Sequence, residues 1–332
     1  MASQEKFFLI GSNSFSGASF ADHLLRQDLD VIGVSRSAEP HPAFLPYRWA
    51  GSPGRFRFHP LDLNSDLDAI ARLIEAERPD YVVNFAAQSM VAESWKNPDH
   101  WYMTNVVSTV RLHERLRTFK FVRKYVHVTT PEVYGSTSGF IDESAPFNPS
   151  TPYAVSRAAA DMSLRAYHAN YGFPVVFTRA ANVFGPGQQL YRVIPRTILS
   201  IKLGRKLQLH GGGVSKRSFI HIRDVADATL RIAREGAPGE AFHISTDRIV
   251  SVRELVEMIC ARMGAKFADC VDVAPERPGK DAAYMLDSGK LRKTLGWTDR
   301  VSLEQGLDET VAWVERFYPE LKSQPLDYVH KP

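Results

Sequence analysis

Residues 7–17 read FFLIGSNSFSG, and this stretch decides the fold. Its four apolar residues predict a short buried strand, residues 11–17 predict a tight turn, and the residues that follow have the apolar spacing of a helix. Glycine at such a turn lets the backbone approach a pyrophosphate, which lies at the positive end of the helix. Since Ser14 replaces the middle glycine of the usual dinucleotide pattern, the turn alone also fits a plain strand–turn–helix connection.

Strands and helices alternate over the first 180 residues. Further strands are predicted at residues 31–34, 81–87, 125–130 and 175–181, with helices at residues 67–76, 100–118 and 153–171. This alternation predicts an α/β fold, a Rossmann-type doubly wound parallel sheet with helices on both faces. We expect a dinucleotide-binding domain over residues 1–180, to which segments near 217–245 return. Residues 181–332 should form mainly a smaller, C-terminal substrate-binding lobe.

Composition narrows the function classes. The 332 residues are 44% hydrophobic and 23% charged, as in folded globular proteins, and the net charge of +4 is scattered, so no nucleic-acid partner is indicated. Two cysteines and the lack of metal-ligand spacing argue against a disulfide framework or a metal site. No run approaches the roughly 20 apolar residues of a membrane span, and no signal peptide is evident. We therefore expect a cytoplasmic protein with no membrane partner.

The residues after the second predicted strand bear on the cofactor. NAD sites usually place an acidic residue there, which holds the ribose 2′-hydroxyl. Here the residues are Ser35, Arg36 and Ser37, and a cation between two hydroxyls suits a 2′-phosphate. We therefore expect NADP, with NAD as the alternative, unless Arg36 simply points to solvent. Asp62, after the third strand, either accepts a hydrogen bond from adenine or is only an acidic residue before a helix.

A second group of motifs follows the strand at residues 125–130. TTPEVYG (129–135) ends that strand, and STPYAVSR (150–157) opens the next helix. Tyr153 and Arg157 are four residues apart, on one helical face. A cation at this spacing is expected to lower the pKa of the phenol, so that Tyr153 can exchange a proton with a sugar hydroxyl. Taken alone, the pair also fits a packed tyrosine beside a surface charge.

Together these motifs resemble the extended short-chain dehydrogenase/reductases, in the branch that remodels nucleotide-diphosphate sugars. The resemblance runs from residue 7 to about residue 313, and its further anchors are NFAAQS (84–89), RAANVFGPGQQ (179–189), RSFIHIRDVADA (217–228), FHIS (242–245) and ERPGKD (276–281). TTPEVYG is most similar to the nucleotide-sugar 4,6-dehydratases, and NFAAQS resembles the GDP-mannose 4,6-dehydratase subgroup, which uses NADP. The resemblance implies a nucleotide-diphosphate-sugar substrate and a homodimer that pairs the helices at residues 100–118 and 153–171.

The resemblance also assigns a role to each matching residue. Thr130 should hold the sugar 4-oxygen beside Tyr153, and Glu132 should remove the proton from carbon 5. The expected cofactor contacts are Gly11, Asn13, Ser14, Phe15, Ser16, Gly17, Ser35, Arg36, Ser37, Asp62, Leu63, Ala86, Ala87, Tyr153 and Arg157. The expected substrate contacts are Ser89, Asn182, Arg192, Arg217 and Arg277.

Two departures from the family pattern keep alternatives open. Arg157 stands where the family has a lysine, and Pro131 stands where dTDP-glucose dehydratases have the aspartate that protonates the departing hydroxyl. We expect a nucleotide-sugar 4,6-dehydratase, a lyase that oxidises carbon 4, eliminates water across carbons 5 and 6 and returns hydride to carbon 6. The alternative is an epimerase with the same oxidation and no water loss. A UDP-glucuronate decarboxylase or a non-catalytic nucleotide-sugar-binding homologue also remains open.

Overall fold

The computed structural model describes residues 5–49, 55–275 and 285–332. Its strands, in chain order, are β1 (Lys6–Ile10), β2 (Asp30–Ser35), β3 (Phe56–Pro60), β4 (Tyr81–Asn84), β5 (Lys124–Val128), β6 (Phe140–Ile141), β7 (Val175–Ala180), β8 (Asn182–Phe184), β9 (Leu207–His210), β10 (Lys216–His221), β11 (Ala241–Ile244), β12 (Ile249–Ser251), β13 (Val271–Ala274) and β14 (Met285–Leu286). Its α-helices are α1 (Phe15–Leu25), α2 (Leu67–Glu77), α3 (Pro98–Tyr102), α4 (Thr109–Leu116), α5 (Pro152–Tyr171), α6 (Val193–Lys202), α7 (Ile222–Glu235), α8 (Val252–Arg262), α9 (Phe267–Cys270), α10 (Gly289–Leu295), α11 (Leu303–Arg316) and α12 (Tyr318–Leu321).

A seven-stranded parallel sheet forms the centre, in the order β11-β7-β5-β4-β1-β2-β3. The chain order reverses at β1, because β2 and β3 lie on one side of it and β4, β5, β7 and β11 on the other. In doubly wound sheets the ligand binds at such a reversal, outside the carboxyl ends of the strands. The Rossmann-type fold predicted from the sequence is confirmed. A ligand site is expected in the crevice at the carboxyl end of β1.

Helices cover both faces of this sheet. Successive strand residues point to opposite sides, so each face has its own apolar core. Phe7 and Leu9 of β1 belong to the core that also contains residues of α1 and α7. Phe8 and Ile10 belong to the opposite core, with residues of α2, α4 and α5. All four side chains are buried, so β1 is apolar on both faces, as parallel strands require.

The remaining elements build a smaller unit. One sheet has the order β12-β10-β8, and β9 pairs with β13. A separate core lies between α6, α8 and α11, with Ile198, Leu255 and Leu307 at its centre. The chain returns to the large sheet between these segments, since α7 packs on it and β11 is its edge strand.

Several predicted elements have different limits in the structure. The strand predicted over residues 81–87 ends at Asn84. The Asn84 side chain accepts a hydrogen bond from the backbone N–H of Ala86 at 2.9 Å, and this bond takes the place of a hydrogen bond between strands. The helix predicted over residues 100–118 begins at Pro98, ends at Leu116 and contains a π-helical segment, Met103–Ser108, between α3 and α4. In the part of the chain that the structure describes, no helix combines the length and apolar character needed to cross a membrane.

Candidate active site

The glycine turn lies between β1 and α1, at the sheet reversal. Gly11 has φ +84°, and a Cβ there would lie 2.6 Å from the backbone nitrogen of Ala86, so no larger residue fits. A Cβ on Gly17 would lie 2.3 Å from the Gly11 carbonyl oxygen. Ser14 caps α1, since its Oγ accepts from the Gly17 N–H at 3.0 Å and donates to the Gly11 carbonyl at 2.7 Å. The serine that replaces the middle glycine therefore stabilises the turn.

Asn13 joins this turn to the end of β2. Its backbone N–H donates to Ser35 Oγ at 3.0 Å, and its Nδ2 donates to the Ser37 carbonyl at 3.0 Å. Its Oδ1 is buried and has no hydrogen-bond partner among the described residues. Buried amide oxygens are normally paired, so this one offers an acceptor to a bound ligand. Together with the close-packed glycines, the unpaired oxygen fits a dinucleotide at the turn.

The other expected cofactor residues lie at the same edge of the sheet. Phe15 and Ser16 form the first turn of α1, and Ala86 and Ala87 follow β4. Asp62 and Leu63 follow β3, where Asp62 Oδ1 accepts the Asn64 N–H at 2.8 Å. Because the carboxyl ends of parallel strands share one edge, residues far apart in the chain come to one crevice.

Arg36 has a partner that the sequence does not reveal. Its side chain is exposed at the end of β2, and Nη1 donates to the carbonyl oxygen of Lys331 at 3.1 Å and also to that of Pro332. Ser35 Oγ accepts from Asn13. The arginine and the serine expected to hold a 2′-phosphate are therefore engaged within the chain itself.

Thr130, Glu132 and Tyr153 lie together where β5 ends. Thr130 caps the short 3₁₀ turn Pro131–Tyr134, and its Oγ1 accepts the Glu132 N–H at 3.3 Å. The Thr130 side chain also hydrogen-bonds with Tyr153, the second residue of α5. Pro131 occupies the first position of the 3₁₀ turn, where a missing N–H costs nothing. The proline thus has a structural role at position 131.

The environment of Tyr153 determines its acidity. Its side chain is only 8% exposed, and burial raises the pKa of the phenol; the Glu132 carboxylate raises this pKa further. Arg157, the Thr130 hydrogen bond and Arg192 lower the pKa but do not offset burial. Arg157 thus lowers the pKa of Tyr153, as expected, but desolvation is the larger effect, so the net shift in the chain by itself is upward.

Arg157 is buried beneath the site, at 2% exposure. Its Nη2 donates to the Val128 carbonyl and lies 3.3 Å from His127 Nε2. Burial and the nearby Arg157 hold the pKa of His127 well below its ordinary value, so the neutral ring can accept that hydrogen bond. Asp161 lies 3.5 Å from His127 Nε2 and 2.7 Å from Arg179.

Arg157 was predicted from the sequence, but the buried side chains around it, His127, Asp161 and Arg179, were not. The available signal was the spacing of Arg157 and Asp161, which are four apart on α5, together with a histidine on the adjacent strand β5. Asp161 and Arg179 offset each other's charge and His127 is neutral. The guanidinium of Arg157 is therefore the cation of this cluster that acts on Tyr153.

The expected substrate residues belong mainly to the smaller unit. Asn182 lies on β8, where its Nδ2 donates to the Ser218 carbonyl at 3.3 Å, and Arg217 lies on the adjacent strand β10. Arg192 is the N-cap residue of α6 and makes no side-chain capping hydrogen bond; its charge lowers the pKa of Tyr153. Ser89 is exposed beyond β4.

Arg277 lies outside the described residues. Among the residues that the structure describes, no group of three His, Cys, Asp or Glu side chains could hold a metal ion.

Comparisons with known proteins agree with this geometry. A family profile described as GDP-mannose 4,6-dehydratase matches residues 8–310. The chain is 30% identical over 330 residues to a dTDP-glucose 4,6-dehydratase of Neisseria meningitidis, which covers 93% of this chain and 92% of that protein.

Solved structures give the same result. A dTDP-glucose 4,6-dehydratase from Streptomyces venezuelae, determined with NAD bound, matches with a TM-score of 0.87 at 32% identity, covering 94% of this chain and 97% of that one. A UDP-glucuronic acid 4-epimerase from Bacillus cereus, in complex with UDP-glucuronic acid and NAD, matches with a TM-score of 0.85 at 26% identity, covering 94% and 100%. The resemblance inferred from the sequence motifs is thereby confirmed: the chain belongs to the GDP-mannose 4,6-dehydratase family.

Proposed function

We propose that this protein is a nucleotide-sugar 4,6-dehydratase that works with a nicotinamide cofactor. The observation that carries the proposal is the grouping of Thr130, Glu132 and Tyr153 beside the crevice at the sheet reversal. With the cofactor as hydride acceptor, oxidation at carbon 4 needs only a base for the hydroxyl proton, and Tyr153 is that base. Loss of water also needs a base for the proton on carbon 5, and Glu132 is the carboxylate placed for that step.

The chemistry that a nicotinamide cofactor supplies here is reversible acceptance of hydride, from carbon 4 and later to carbon 6. Thr130 orients the sugar 4-oxygen toward Tyr153, and the Tyr153 phenolate takes the hydroxyl proton. The resulting 4-ketone acidifies carbon 5, and Glu132 removes the proton there. The hydroxyl then leaves from carbon 6.

The departing hydroxyl needs a proton that Pro131 cannot give. We propose that Glu132, newly protonated, passes its proton to the leaving oxygen. The proton that Tyr153 took from the 4-hydroxyl then replaces the one lost from carbon 5. One water is released in total, and both side chains return to their starting protonation states.

For the cofactor we propose NAD rather than the NADP expected from residues 35–37. Two observations support this choice. The dehydratase and epimerase structures cited above hold NAD, and Arg36 is bound to carbonyl oxygens of its own chain. Titration of the protein with each cofactor tests the choice. Tighter binding of NADP than of NAD would restore the original expectation.

We propose that the residues around the large sheet bind the cofactor, and that the smaller unit binds the nucleotide diphosphate of the substrate. The domain division at residue 180, with later segments returning to the sheet, follows from this assignment. Arg192 and Arg217 carry the charge that a diphosphate requires, with Asn182 as a hydrogen-bond donor. Arg192 is the best supported of the three, because its charge acts on Tyr153.

We also propose a homodimer through α5 and the helical segment from α3 to α4. These neighbouring helices expose a set of large apolar side chains, Tyr102, Met103, Val107, Val155 and Met162. Large exposed apolar patches usually mark an interface. A twofold pairing of this face would cover them.

The proposed activity is tested by incubating the purified protein with UDP-, dTDP- and GDP-hexoses and measuring product masses. Loss of one water supports a dehydratase. An isomer of unchanged mass would instead support an epimerase, the alternative that Pro131 favours. Loss of carbon dioxide from UDP-glucuronate would indicate a decarboxylase.

A further inference from the structure

The segment after α12, residues 326–332, runs across both parts of the molecule; we call it the strap. It begins on the smaller unit, where Arg196 donates to the Leu326 carbonyl at 3.3 Å and pairs with Asp327 at 2.9 Å. The Tyr328 ring then packs against Tyr191 with 5.3 Å between ring centroids. Tyr191 directly precedes Arg192, so the strap passes the cleft in which the substrate is proposed to bind.

The strap next contacts α3, in the larger unit, through His330. This ring stacks on Trp101 with a centroid distance of 5.1 Å and on His100 with the same distance, at angles of 12° and 13°. Its Nε2 lies 2.8 Å from His100 Nδ1, and its Nδ1 lies 3.3 Å from the Tyr328 hydroxyl. His330 is thus the main anchor of the strap on the cofactor side.

The strap ends at the cofactor crevice. The carbonyl oxygen of Lys331 accepts from Gln88 Nε2 at 2.7 Å and from Arg36 Nη1 at 3.1 Å. Gln88 lies beyond β4 and Arg36 beyond β2, the two strands that flank β1, so one carbonyl bridges the mouth of the crevice. Among the described residues, no hydrogen bond joins the strap to the turn at residues 11–17. The hydrogen bonds of the strap to the large unit are therefore made at the rim of the crevice, beyond the ends of β2 and β4.

We propose that the strap closes over the bound nicotinamide cofactor and slows its release, an inference that rests on the proposed function. A dehydratase of this kind must keep its cofactor between the oxidation at carbon 4 and the reduction at carbon 6. The strap also holds the Arg36 guanidinium, which is thereby withheld from a 2′-phosphate, so the closed strap selects NAD. Its anchors are hydrogen bonds, ring contacts and one exposed ion pair, and they can open to admit the cofactor.

The test measures cofactor release without substrate. The unaltered protein is loaded with NADH, mixed with excess NAD, and the loss of bound-nicotinamide fluorescence gives the dissociation rate constant. The variants are a deletion of residues 326–332 and His330→Ala, with Val329→Ser as the matched control, since Val329 is 66% exposed on the outer side of the strap. We expect release to be about tenfold or more faster in the deletion and about three- to tenfold faster in His330→Ala, as the loss of one or two aromatic contacts implies. Val329→Ser should be unchanged.

Equal release rates in all four proteins would overturn the proposal. Slower release or tighter binding after deletion would overturn it as well, because the strap would then be a competitor of the cofactor. The readout does not depend on turnover. A protein that retains NADH through its strap but converts no nucleotide sugar would refute the proposed function and leave the strap intact.

Discussion

Replacing Arg157 by Met removes the cation that acts on Tyr153. The two residues lie one turn apart on α5, about 6 Å from each other. At an effective dielectric of about 20, a unit charge at about 6 Å contributes roughly 2.8 kcal/mol. Since about 1.36 kcal/mol corresponds to a factor of ten, loss of the cation should raise the pKa of Tyr153 and lower the phenolate fraction at a given pH about a hundredfold. The working form of Tyr153 is the phenolate, so the oxidation step should slow by a similar factor at neutral pH and its pH dependence should move upward.

The assay is a stopped-flow measurement of reduced-nicotinamide absorbance between about pH 7 and pH 11, a range that extends beyond the ordinary pKa of tyrosine of about 10. Arg157→Lys is the matched control, because it keeps the charge and should keep the pH profile. The Met variant also leaves the Val128 carbonyl without its donor, at a cost of about 1–3 kcal/mol in unfolding free energy. A thermal melt separates that loss from the pH effect. If the folded Met variant keeps the original profile, Arg157 does not act on Tyr153 and another group must.

Three further changes test other parts of the account. Glu132→Gln should stop water loss while leaving oxidation at carbon 4, so reduced nicotinamide accumulates; because the Glu132 carboxylate raises the pKa of Tyr153, this variant should also oxidise at lower pH, and full dehydration by it would show that another base acts. Gly17→Ala should abolish cofactor binding in a calorimetric titration, because its Cβ would lie 2.3 Å from the Gly11 carbonyl oxygen. Gly204→Ala is the control: its Cβ would meet nothing within 4 Å, and although φ +64° strains the backbone there, the variant should still bind the cofactor. Met162→Glu, at a side chain 61% exposed on α5, should convert a dimer to a monomer in light scattering, and an unchanged mass would remove this face as the interface.

Local sequence pattern was enough for the parts of the fold that follow local rules. The apolar run before Gly11 predicted β1, and the spacing of Tyr153 and Arg157 predicted that both lie on one face of α5. Even the small change at Ser14 has a local explanation, since serine is a preferred helix cap.

Contacts between residues far apart in the sequence could not be predicted from local pattern. Arg36 meets Lys331, which is 295 positions away, and nothing near Arg36 in the sequence indicates that partner. The acidity of Tyr153 also depends on burial, which periodicity does not report, so the net upward shift of its pKa could not be predicted from the spacing of Tyr153 and Arg157. The strap could not be predicted either, because its contacts join residues far apart in the sequence and depend on the path of the chain after α12.

The central claim is that oxidation at carbon 4 leads to loss of water and reduction at carbon 6. The most direct measurement uses a nucleotide hexose carrying deuterium on carbon 4, with the product examined by mass spectrometry and NMR. The account predicts a product that lacks one water and carries the deuterium on carbon 6. A product of unchanged mass with the deuterium still on carbon 4 would contradict it.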